Sequence, residues 1–185
     1  MPWILSKIKF NQEVKYPHKP KEFVSGEAFQ YLGRNYRLKV LSGRHEKLEF
    51  RNGRFYISLS DNNNSRDETL KKLLTAWYTS NAERKLKERI ERYAERLGVK
   101  YNNIKLKSFT RQWGSCYLNG DLAFNWRIIT APISIVDYVI VHELCHRLFQ
   151  NHSKEFWTHL QRVMPDYKTR KEWLRINDAL IMNSL

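Results

Sequence analysis

Ile135-Val136-Asp137-Tyr138-Val139-Ile140-Val141-His142-Glu143-Leu144-Cys145-His146-Arg147-Leu148-Phe149 is the segment on which both fold and chemistry turn. It follows Pro132 and Ser134 and is apolar on nearly every helical face, so it reads as a buried helix running to about Phe149. Within it, His142 and His146 stand four residues apart, one turn along the same face. Two imidazoles so spaced can reach one cation at ~2.0–2.1 Å. Glu143 points into the neighbouring sector, where it can meet a water on that cation without taking a coordination site. Two histidines and a glutamate in a buried helix are costly without partners, and a metal supplies one. A pair of hydrogen-bonded core histidines is the competing reading.

A catalytic zinc needs three protein ligands and an open position. Asn151-His152-Ser153 follows the helix directly: Asn tolerates the left-handed conformation that ends a helix, and Ser caps the next one. His152 therefore sits in a tight bend, six residues after His146, the separation also found in HExxHxxGxxH sites. The glycine of that pattern is replaced by Phe149. Glu155 and Glu172 are the rival third ligands, and His18, His45 and His159 read as surface or satisfied histidines.

Upstream, Ile104–Phe109 is strand-like, and Asn119-Gly120 marks a hairpin between Cys116-Tyr117-Leu118 and Leu122-Ala123-Phe124-Asn125. Residues 65–98 form a long linking helix. Ser65 with Glu68 fits a capping box, and Leu70, Leu73, Leu74, Trp77, Leu86, Ile90, Tyr93 and Leu97 make the stripe, with a bend expected near Ser80-Asn81 and a stop at Gly98. Residues 1–64 form an N-terminal layer. An irregular arm with at most a short strand precedes an antiparallel meander over residues 35–59, turned at Asn52-Gly53 and ended by the polar tract 61–64. Downstream, one helix starts near Ser153 and another follows Pro165-Asp166. The expectation is an α+β chain, with residues 99–185 as the catalytic domain.

The chain has 185 residues, enough for one catalytic domain with a small added layer. Cys116 and Cys145 form no paired framework and read as reduced thiols. No signal peptide or membrane span is visible, so the cytoplasm is the default compartment and no membrane partner is expected. Lys plus Arg number 33 against 19 Asp plus Glu, a net charge of +14 that would attract anionic partners, nucleic acid among them.

Gln112-Trp113-Gly114-Ser115-Cys116, Asn125-Trp126-Arg127, the run from Asp137 to Leu144, Asn151-His152-Ser153-Lys154-Glu155-Phe156-Trp157 and Pro165-Asp166-Tyr167 together resemble the YgjP-type metal-dependent hydrolases. The likeness is close over residues 100–178 and looser before them. It is similar, more distantly, to the SprT and Spartan group, where a third histidine lies in a His-Gly-x-x-Phe stretch. Here Ser153 replaces that glycine. The resemblance implies a zincin-like metallopeptidase fold, a peptide or protein substrate, one Zn2+ and His152 as third ligand. The Spartan likeness adds DNA-bound proteins as a substrate class by analogy alone. Cys145 occupies a position where a small residue is common and reads as packing.

In zincin-like folds an edge strand beside the metal helix pairs with an extended peptide, and Leu122, Ala123, Phe124 and Asn125 are the candidate strand. Trp113 and Trp126 either wall the cleft or fill the core. Tyr167 and Arg127 are candidate donors to a developing oxyanion. The leading expectation is zinc-dependent peptide hydrolysis with Glu143 as general base. Its alternatives are another zinc-dependent amide hydrolase and a basic nucleic-acid-binding module with a structural or vestigial metal.

Overall fold

The structure is a computed structural model that describes residues 20–60 and 65–185. His18, most of the expected N-terminal arm and the tract 61–64 lie outside the described residues.

Four strands come first among the described residues: β1 (Ala28–Tyr31), β2 (Arg34–Ser42), β3 (Lys47–Arg51) and β4 (Arg54–Leu59). Asn52 and Gly53 join β3 to β4 with φ of 49° and 67°, the doubly left-handed turn that matches strand twist. Leu32 and Gly33 join β1 to β2 in the same way, at φ of 49° and 76°. Leucine carries no signal for such a turn. Tertiary contacts hold it instead, since the N–H of Leu32 donates to Ile129 O (2.8 Å) and that of Gly33 to Thr130 O (3.1 Å).

The expected antiparallel meander is corrected. The spatial order is β1-β2-β4-β3, and β2 runs parallel to β4, with Leu38 opposite Phe55 and Val40 opposite Ile57. The reason lies in burial: Phe55 and Ile57 are wholly buried and Leu59 nearly so, whereas β3 keeps no fully buried residue. The most apolar strand takes an interior place, and charged β3 takes the edge, where unpaired backbone can meet water.

α1 (Arg66–Leu97) crosses this sheet. Its buried stripe is Leu70, Leu74, Tyr78, Ala82, Leu86, Ile90, Tyr93 and Ala94. The apolar pattern thins near Ser80-Asn81 only because Ala82 is small, and the helix continues unbroken through the expected bend. Gly98 ends it at φ 66°, its N–H bonding back to Glu95 O. The Ser65 side chain does not cap the helix, so the capping box is also corrected. Trp77 packs against Phe55 (4.8 Å between ring centroids) and Tyr31 (4.9 Å), joining helix to sheet.

The second half contains β5 (Ile104–Lys107), β6 (Gly114–Cys116), β7 (Leu122–Asn125), a 3-10 segment (Trp126–Thr130), α2 (Ile133–Cys145), α3 (Lys154–Val163) and α4 (Tyr167–Met182). β7 lies between β5, to which it is parallel, and β6, to which it is antiparallel. Asn125 caps the 3-10 segment by accepting from the Arg127 N–H. α2 is the buried helix expected from its apolar run. Its one buried ion pair joins it to α1: Asp137 accepts from Arg89 Nε at 2.7 Å, from a second Arg89 nitrogen and from the Tyr93 hydroxyl at 3.1 Å. The resulting fold is α+β, and among the described residues buried side chains from both sheets and the four α-helices form one core.

Candidate metal centre

α2 ends earlier than its sequence suggests. The helix stops at Cys145 with His146 as its C-terminal cap, and a tight turn replaces the expected last turn. The N–H groups of Leu148 and Phe149 both bond to Cys145 O at 3.0 Å. This turn reverses the chain, and Ser153 then caps α3 by accepting from the Phe156 N–H. Shortening the helix is what brings His152 back over its end.

His142, His146 and His152 converge, with one ring nitrogen from each lying within 4.8 Å of the others. Nε2 of His142 and Nε2 of His152 are 2.9 Å apart. Tetrahedral bonds of ~2.05 Å would set ligand nitrogens about 3.3 Å apart, so small ring movements suffice to admit an ion. Nδ1 of His146 hydrogen-bonds to Phe149 O at 3.0 Å, which places the proton on Nδ1 and frees Nε2. Thus Phe149, standing where a glycine is expected, supplies the orienting carbonyl. Burial, followed by the charges of His146, His152 and Lys171, holds the His142 imidazolium pKa down at about 3. His142 therefore remains the neutral imidazole that a metal requires. Its Nδ1 is buried without a hydrogen-bond partner among the described residues. Three neutral-capable imidazoles at this spacing fit a borderline-soft divalent ion.

Phe156 forms the floor. It is wholly buried, and its ring centroid lies 5.1, 4.8 and 4.9 Å from those of His142, His146 and His152. Trp157 stacks on His152 at 5.5 Å, and Tyr167 stacks on Trp157 at 5.4 Å.

Glu143 packs against the edge of β6. A Cβ at Gly114 would fall 2.6 Å from its Cγ and 2.7 Å from its Oε1, so only glycine allows this approach. The carboxylate accepts from the Cys116 N–H, while burial raises its pKa to about 8. A cleft of about 410 Å³ opens over these groups, lined by Gly114, Cys116, the three histidines, Glu143 and Arg147 among others. Arg147 is held by donating from Nε to Lys100 O at 3.0 Å and contacts the Cys116 thiol.

The other sequence candidates fall differently. Leu122, Ala123, Phe124 and Asn125 form the central strand, paired on both sides and wholly buried, so they cannot receive a peptide. Asn125 instead donates to Phe109 O at 2.8 Å. The free edge beside the metal helix belongs to β6. Asn125 donates to Trp113 O and Tyr117 to Asp121 O, so the backbone groups of Gly114 and Cys116 alternate outward to the cleft. Trp113 and Trp126 are core residues, their indole N–H groups donating to Asp178 (2.7 Å) and Ser108 (3.0 Å). Tyr167 is separated from the histidines by Trp157, and Arg127 lies over the Trp126 ring, away from the cleft lining. Glu155 and Glu172 lie outside the histidine cluster, and Glu172 pairs with Arg175. His45 is exposed, while Nε2 of His159 is buried with no partner among the described residues, contrary to its reading as satisfied. Cys145 is wholly buried, and Cys116 enters the cleft.

The sequence reading missed Gly114, Tyr138, Arg147 and Trp157. Tyr138 presents its ring edge-on to His142 at 5.9 Å, and burial, then Glu143 and Tyr167, raises its hydroxyl to about 12. A glycine inside a strand was the one available signal, marking close approach by another group.

An α+β fold with three converging histidines beside a buried glutamate is the arrangement expected of a metal-dependent peptidase. The YgjP-like metallopeptidase domain matches residues 1–177, and the chain belongs to that family. No curated protein sequence matches the chain. Among solved structures, the chain is similar to the metallopeptidase zymogen of Pyrococcus abyssi abylysin. Identity is 19% and TM-score 0.43, over 52% of this chain and 91% of that one. Wss1 from Saccharomyces cerevisiae gives 16% identity and a TM-score of 0.41, over 60% of this chain and 86% of that one.

Proposed function

We propose that the protein hydrolyses peptide bonds with one zinc ion held by His142, His146 and His152, and with Glu143 as general base. The observation that carries this reading is the convergence of three imidazole nitrogens within 4.8 Å beside a buried carboxylate. The donor set favours zinc, because three neutral nitrogens leave a fourth position open in the geometry of catalytic zinc sites. When bound, the ion supplies Lewis acidity, activating water and polarising the scissile carbonyl. Glu143 lies close enough to this position to accept the proton of the attacking water and return it to the leaving amine. The Cys116 N–H and the Gly114 surface hold its carboxylate in one orientation.

Peptide alignment falls to the outward Gly114 N–H and the outward carbonyls of Gly114 and Cys116, through strand addition to β6, while the Cys116 N–H stays with Glu143. This replaces β7 as the substrate strand. Arg147, which lines the cleft, is the candidate for stabilising developing negative charge, ahead of Tyr167 and Arg127, which do not line it.

Two variants test the assignment together. Glu143→Gln should retain zinc by elemental analysis and lose at least ~10²-fold in kcat, the scale of general acid–base catalysis. His152→Ala should lose zinc. Full turnover in the first variant would reject the base, and full zinc occupancy in the second would reject the third ligand.

A further inference from the structure

A second pocket, of about 540 Å³, is lined by Trp157, whose ring stacks on His152. Lys154, Lys168, Lys171 and Arg175 line it around the Trp157 and Tyr167 rings. Its one acid, Glu172, is engaged by Arg175. Among the described residues, Lys154, Lys168 and Lys171 form no ion pair. The Lys171 ammonium lies 4.3 Å above the Trp157 centroid, and the same indole stacks on His152.

Gathering lysines beside a site that takes a divalent cation raises the electrostatic energy of both. A bound anion offsets the two at once. The pocket is open to solvent and walled by flat rings, and its cations gather at one end of α3 and α4, which suits a single carboxylate. A nucleic-acid strand needs phosphate contacts repeated along a track, and three lysines about one indole provide a single focus instead.

We propose that this pocket takes a carboxylate of the substrate, either an Asp or Glu side chain or the peptide's own C-terminus, on the far side of Trp157 from the histidines. The proposal rests on the peptidase reading and adds a preference for acidic peptides. The lysine ammoniums attract the carboxylate, and Lys171 is held in place for this over the Trp157 ring.

The test uses zinc-loaded Glu143→Gln protein, so that binding is read without turnover. Matched fluorescent peptides carry Glu, Gln or Lys flanking the central bond, each with a free or an amidated C-terminus. By anisotropy, peptides with the held carboxylate should bind about two- to fivefold tighter than their uncharged counterparts, Glu against Gln or free against amidated C-terminus, the scale of a partly exposed ion pair. Adding Lys171→Glu should reverse the order in favour of Lys peptides, and Lys168→Glu should weaken it in the same direction. Lys87→Glu, on the solvent face of α1, alters net charge equally and should leave the order unchanged. If the Glu and Gln peptides bind alike and amidation weakens both, the carboxylate held is the C-terminus; if Glu binds tighter than Gln and amidation has no effect, the side chain is held. An order unchanged by Lys171→Glu overturns the proposal. A single-stranded oligonucleotide bound more tightly than every peptide, and released by Lys171→Glu, also overturns it and assigns the pocket to nucleic acid. The two readings separate cleanly. Charge-dependent binding with no wild-type cleavage sinks only the hydrolase assignment, and cleavage without charge dependence sinks only this one.

Discussion

At the residue scale, the site depends on side chains that never touch a metal. Gly114 leaves room for Glu143, and a methyl group there would sit 2.6 Å from Cγ. Gly114→Ala should therefore push the carboxylate aside and lower kcat/KM by ~10²-fold, the cost of displacing a catalytic group by about 1 Å. Zinc content should stay at the wild-type level, which distinguishes displacement from collapse. Phe156 touches all three histidine rings, so its shape fixes their convergence. Phe156→Leu nearly conserves volume and should cost less than ~1.5 kcal/mol of stability by denaturant unfolding. The same variant should weaken zinc binding by ~10–100-fold in chelator competition, as found when groups supporting a ligand are lost. Unaltered zinc affinity would remove Phe156 from this role.

At the element scale, the short sheet holds β6 in position through β7, and Asp121 locks its entry. Asp121 accepts from Lys105 Nζ at 2.8 Å and from the side chain and backbone N–H of Asn103 at 3.0 and 3.2 Å. These partners, Lys105 foremost, hold its carboxyl at about 2, below the ordinary value near 3.9. A depressed folded-state pKa contributes stability that is complete above the unfolded value and is lost as pH falls through the folded one. Wild-type stability should therefore fall between about pH 4 and pH 2 by an increment that Asp121→Asn lacks. Urea unfolding across that window reads the difference. Parallel pH profiles for the two proteins would show that Asp121 is no part of the acid response.

At the scale of the whole molecule, the N-terminal sheet and the catalytic half share one core. The β1–β2 turn bonds to the 3-10 segment, Tyr78 donates from α1 to Gln30 O at 2.6 Å, and Gly33 lies against Pro132 at the start of the metal helix. A chain so joined should unfold in a single transition by calorimetry, with calorimetric and van't Hoff enthalpies equal. Deleting residues 1–60 should abolish that transition, since it uncovers the α1 stripe. A truncated protein that still unfolded cooperatively would mark the catalytic half as independent.

The sequence by itself determined the buried helix, the pairing of His142 with His146, the position of Glu143 between them and the long amphipathic α1. Each is a local periodicity, set by spacing along one element. Tertiary structure decided which strand lies at an edge, how His152 returns to the metal helix, and which aromatic and basic groups surround it. Strand order depends on competition for burial between segments far apart in sequence. β7 reads as a substrate strand by position, yet its complete burial places it at the sheet centre. Likewise, the shortened end of α2 follows from Phe149 O bonding to His146, a contact that exists only once the chain has turned back. Periodicity reports which face of an element is apolar, and only packing decides what that face meets.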